Sequence, residues 1–133
     1  MGAADYSFDG LDALERQLSR MIEREYPEEF RRMVLQVAYE LQGRVKERTP
    51  HVTGRLQDSW KVGPIRKEGD TYTVEVYTNV DYAEPVEYGH RTRGGKGLVK
   101  GQHMMALSLE EVAQRLPGYL QEWLGTFIRT HDL

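Results

Sequence analysis

Phe30, Met33, Val34, Val37, Ala38, Leu41 and Val45 share one face of a helix and form the cleanest apolar stripe in the chain. No strand could bury these positions together, so any fold must be built around a long amphipathic helix in its first half. Pro27 suits the first turn, where a missing N–H is no loss. Pro50 disfavours helical geometry at Thr49, which places the end near Arg48. A shorter stripe comes before it. Leu11, Leu14, Leu18, Met21 and Ile22 share a face, Asp9 can cap their helix, and Arg24 and Glu25 end it. Residues 1–8 read as a loose tail. The closing stripe is Leu109, Val112, Ala113, Leu116, Leu120, Trp123, Leu124, Phe127 and Ile128. Its period keeps phase across Pro117, which predicts one kinked helix. That helix begins between Gln102 and Ser108, with Ser108 and Glu111 spaced as a capping box. All three stripes read as core.

Between the helices the pattern becomes alternation. From Leu56 onward, Trp60 and Val62 oppose Ser59 and Lys61, and Pro64 puts this strand at an edge or ends it. Glu68-Gly69-Asp70 marks a turn. Tyr72, Val74 and Val76 then alternate with Thr73, Glu75 and Tyr77, as a half-buried antiparallel strand does. A turn near Asn79 and Asp81 leads to a third extended stretch, Tyr82 to Tyr88, interrupted by Pro85. The reading is α+β: two N-terminal helices, a three-stranded antiparallel meander, and a long kinked C-terminal helix packed on one sheet face. The 133 residues suit a single domain with one modest core.

Charge is segregated along the chain. Between Gly89 and Ser108 lie Arg91, Arg93, Lys96 and Lys100 and no acid. Subtracting those four charges from the formal −3 leaves −7 for the rest. Glycines interleave with the cations, so residues 89–102 read as a mobile basic loop that a partner orders. Its docking candidates are His90, Arg91, Arg93, Lys96, Lys100 and His103, which suit phosphates or the acidic side chains of a protein. An acidic chain is a poor general nucleic-acid binder, and a small nucleic-acid-binding module using this loop is the alternative reading. The absence of cysteine excludes disulfides and thiol chemistry, no apolar run is long enough to cross a bilayer, and no secretion signal opens the chain.

No catalytic template fits. His51, His90, His103 and His131 are widely spaced, and Glu87 with His90 does not converge as zinc ligands do, so no metal is expected. Ser59 and Ser108 lack a nucleophile elbow. Glu28-Glu29 and Glu110-Glu111 are adjacent on helices and diverge. Gly94-Gly95-Lys96-Gly97 lacks the spacing and the Ser or Thr of a phosphate loop. A small hydrolase would have to rely on Glu87, His90 or His103. The chain is read as a non-enzyme without cofactors.

Two short motifs resemble a known family. Pro50, Thr53-Gly54, Leu56 and Ser59 match a P-x-x-T-G-x-L-x-x-S turn, and Tyr82-Ala83 with Val86-Glu87 and Gly89 matches YA-x-x-V-E-x-G. In this order, over roughly Phe30 to Ile128, they resemble the tail-completion or head–tail joining proteins of tailed bacteriophages. The helix from Asp9 to Glu25 stands outside that motif pattern. Pro50, Gly54, Leu56, Tyr82, Glu87 and Gly89 then read as a scaffold fingerprint. The resemblance implies a virion protein of the tail and neck, made in the bacterial host cytoplasm. It would be a homo-oligomeric ring, hexameric in the particle, that caps the tail tube and docks to head-connector proteins. Its loops would lie near channel DNA, and no membrane is involved.

Overall fold

The computed structural model describes residues 12–50, 54–69, 71–92 and 97–132, with side chains described from residue 16. The expected tail, residues 1–8, and the cap Asp9 lie outside these, as do His51, Thr53, Arg93 and Lys96 of the expected sites. Helix α1 (Asp12–Arg20) passes into a single π turn, Met21–Glu25, and Tyr26 leaves helical geometry at φ −134°. Helix α2 (Pro27–Arg48) starts with Pro27 in its first turn, and Thr49 ends it in an extended conformation at ψ 130°, as a residue before proline must. Helix α5 (Met104–Thr130) is continuous through Pro117.

The helices α2 and α5 lie antiparallel and bury only part of their stripes, because Leu109, Ala113 and Leu120 of the expected closing stripe stay exposed. At one end, Met104 at the start of α5 is fully buried with Val45, Leu56 and Trp60. At the other end, Phe127 packs between Trp123 (ring centroids 5.0 Å apart) and Tyr26 (5.9 Å). There the His131 Nε2 lies 2.8 Å from a Glu29 carboxylate oxygen, closing the last turn of α5 onto the first turn of α2. Between the two ends, Glu40 pairs with Arg44 (3.2 Å) and Arg115 (2.6 Å), and Glu111 pairs with Arg44 and Arg48. Partly exposed pairs of this kind add at most about 1 kcal/mol each, so the apolar seam dominates.

The strands differ from a three-stranded meander. Strands β1 (Lys61–Val62) and β4 (Val76–Tyr77) pair with each other, as do β2 (Arg66–Glu68) and β3 (Thr71–Thr73). Together they make one long interrupted hairpin. Its register slips by one residue between Val62↔Val76 and Arg66↔Thr73, so Gly63, Pro64 and Ile65 face only Val74 and Glu75. Pro64 has no N–H for the ladder, and a bulge there accommodates it. The third ladder, β5 (Gly89–Arg91) with β6 (Leu98–Lys100), is a separate two-stranded hairpin.

Two expected strand segments are helical instead. Leu56 lies in the short helix α3 (Arg55–Asp58), entered through Gly54 at φ 70°, a left-handed geometry that favours glycine. The stretch expected as the third strand folds as helix α4 (Ala83–Tyr88). Pro85 is its third residue, where the N–H has no partner within the helix, so the proline removes no bond there. Ser108 is not a cap either. It is fully buried inside α5 and its hydroxyl donates to the Met104 carbonyl (2.5 Å). What emerges is an α+β body with a small core and two hairpins on it.

Candidate functional site

The site is the junction from which the β5–β6 hairpin leaves the body. The last turn of α4 places Glu87 against the first turn of α5, where backbone N–H groups have no helical acceptor. The buried Glu87 carboxylate accepts from Met105 N–H (2.9 Å) and Ala106 N–H (3.0 Å). Its backbone carbonyl accepts from His103 N–H (3.0 Å), while Gln102 N–H donates to the Val86 carbonyl (2.8 Å). A carboxylate out of water is tolerated here because each of its oxygens accepts a helix N–H and it sits at the positive end of a helix dipole. Glu87 therefore caps a helix that begins seventeen positions later in the chain, and ties the two ends of the hairpin together. His103 supplies the corner, in a left-handed conformation at φ 49°.

Two glycines allow the strands to pass at this root. Gly89 has φ 90°, and a Cβ there would lie 2.6 Å from the Val99 carbonyl oxygen. A Cβ on Gly101 would lie 2.5 Å from the Glu87 carbonyl oxygen and 2.8 Å from Gly89 N. No real side-chain carbon fits at such distances, so the root is a backbone-on-backbone crossing.

Beyond the root the hairpin is in solvent. His90 pairs with Val99 and Arg91 with Leu98, and Thr92 N–H donates to the Gly97 carbonyl (2.9 Å). Leu98 is 79% exposed and Val99 42%, and Tyr88 at the root is 71% exposed. An open groove of about 570 Å³ runs along it, lined by Tyr88, His90, Arg91, Val99, Lys100 and His103. The structure thus gathers His90, Arg91, Lys100 and His103 along one arm, all exposed, and Arg91 and Lys100 form no ion pair among the described residues. Large apolar side chains on the same arm were not legible as surface from the sequence.

The scaffold positions sit on the other side of the same junction. Leu56 fills the core beside Val45, Trp60 and Met104, and Tyr82 packs on that cluster with the Arg55 guanidinium 5.8 Å above its ring. Ser59 donates to the Leu56 carbonyl (2.6 Å) and its hydroxyl meets that of Thr78 (2.6 Å), tying α3 to the strand end. Pro50 follows Thr49, a residue that sequence reading undervalued. Thr49 is buried, donates to the Val45 carbonyl (2.6 Å), accepts from Trp60 Nε1 (3.0 Å) and touches the Met104 sulfur (3.4 Å). Only its position next to Pro50 hinted at this. Gly101 was missed too, and its signal was a lone glycine just before the last helix. Among the described residues no group of three His, Asp or Glu side chains converges as metal ligands would, and no helix is long and apolar enough to cross a membrane.

The geometry is thus one of helices clamping the base of an exposed arm. Residues 12–89 match the HK97-gp10-like family, described as "Bacteriophage HK97-gp10, putative tail-component". That is more than half of the chain, and the chain belongs to this family of phage tail components. The match starts at α1, so the first helix falls inside the family region and is not an addition to it, and it ends at Gly89, the root of the arm. Comparison with curated proteins and with solved structures gives no match.

Proposed function

We propose that this chain is a non-enzymatic virion protein that forms a ring at the end of the tail, completes the tail and docks it to the head or neck. Membership of a tail-component family narrows the class, and the clamped, outward arm carries the reading within that class. A protein that acts alone does not hold a hairpin by a buried carboxylate and two glycines only to leave Leu98 and Val99 in water. The arm then meets neighbouring copies, the tail tube or the connector. The parent is a tailed phage or a tail-like particle, and the ring is hexameric in it. Pro50, Gly54, Leu56, Tyr82, Glu87 and Gly89 serve the scaffold, and His90, Arg91, Arg93, Lys96, Lys100 and His103 serve docking.

Light scattering coupled to size exclusion, with electron microscopy of the purified protein alone and with tail tubes, tests this. Closed rings, or rings that appear only on tube ends, are the expected result. A protein that remains monomeric and adds to no tube would refute it. Duplex DNA binding that falls steeply with salt and is lost with the arm cations would favour the nucleic-acid module instead.

A further inference from the structure

The two hairpins present four outer edges of unlike chemistry. On the long hairpin, the β1–β2 edge carries Pro64, which cannot donate, beside exposed Lys61, Arg66 and Lys67. Proline and lysine on an edge are common devices against strand addition. The β3–β4 edge has no proline and carries exposed Glu75 and Tyr77. Gly63 N–H donates to the Glu75 carbonyl (2.8 Å), so antiparallel alternation turns the N–H and C=O of Val76 outward. No described backbone group meets them. The arm has the matching half. Its Thr92–Gly97 bond sets the phase that turns the N–H and C=O of Leu98 and Lys100 outward. A two-stranded ribbon by itself is marginal in water, and this one also exposes Leu98 and Val99. Arg91 and Lys100 on the arm, and Glu75 on the edge, lack ion pairs among the described residues.

We propose that the arm of one copy adds as a strand pair to the β3–β4 edge of the next copy. This rests on the ring reading above and names its contact. Main-chain bonds from Leu98 and Lys100 meet Val76, apolar Leu98 covers Tyr77, and the arm cations neutralise Glu75. Arm and edge are different surfaces of one chain and are not paired within it, so the contact can repeat head to tail from copy to copy. Repeated around a closing rotation it yields a ring, and without closure it yields a filament. The blunted β1–β2 edge leaves one acceptor edge on the long hairpin of each copy.

The chain has no cysteine, so introduced thiols report cleanly. A Leu98→Cys chain and a Tyr77→Cys chain, each shown folded by circular dichroism, are treated with a short bismaleimide separately and mixed. Covalent dimers should form in the mixture and not in either variant alone. Glu75→Arg should lower the assembled fraction about tenfold at equal concentration, and adding Arg91→Glu and Lys100→Glu should restore it. Assemblies that form without mixed cross-links, or with cross-links in Leu98→Cys alone, would overturn the arm-to-edge contact while leaving the ring intact. A wild-type chain that never assembles would overturn both.

Discussion

The root of the arm and its flanks lie within a few residues of each other and are opposites. The root is held by hydrogen bonds and close packing: the Glu87 carboxylate takes two helix N–H groups, its carbonyl takes a third, and two glycines bring main chains into contact. Along the flanks, Leu98, Val99, Arg91 and Lys100 touch little, and their outward main-chain groups have no described partner. The difference teaches where the fold spends its constraints. The direction of the arm is determined by the body, whereas its surface is left for another molecule to complete.

Substitutions can break this contrast. The largest effect is expected from Gly101→Ala, because its Cβ would overlap backbone atoms that cannot swing away. A loss of about 3 kcal/mol in denaturant unfolding is expected, and a loss below about 1 would show that the crossing is loose. Glu87→Ala removes the acceptor of two N–H groups at the start of α5 and should cost about 2 kcal/mol, with faster hydrogen exchange at Met105 and Ala106. Thr49→Val keeps the shape but orphans Trp60 Nε1, for an expected loss of about 1 to 2 kcal/mol and altered Trp60 fluorescence. The combined variant Leu98→Ser, Arg91→Ala and Lys100→Ala should change monomer stability by no more than about 0.5 kcal/mol, while assembly is lost. If the arm variant destabilised the monomer as much as the root variants, the division between root and flank would be wrong.

The same contrast explains what could be read in advance. The helices α2 and α5 and the stop at Pro50 were legible because helical period and proline chemistry are local, but the period overstated the core, since Leu109, Ala113 and Leu120 of the closing stripe are exposed. So were the two strands of the long hairpin, from alternation and the Glu68-Gly69 turn. Residues 82–88 misled because aromatic and β-branched side chains favour a strand when nothing else acts. In the helix, Glu87 meets Met105 N–H in the first turn of α5, eighteen residues on, a contact no local pattern carries. Pro85 was the overlooked local clue, since it sits where a first helical turn tolerates proline. Ser108 misled similarly: its spacing to Glu111 fits a cap, but Glu111 pairs with Arg44 and Arg48, and Glu87 supplies the cap. Of the candidate site, the cations were visible as charge segregation. The pairing of Gly89 with Lys100 and the close passage of Gly101 were not, because both arise from chain crossing.

The most direct measurement is an electron-microscopy reconstruction of the parent particle at a resolution that traces this chain. The account predicts a closed ring of copies at the head-proximal end of the tail, each held by its neighbour through residues 89–101. Copies placed in the head shell, or present singly with the arm touching nothing, would contradict it.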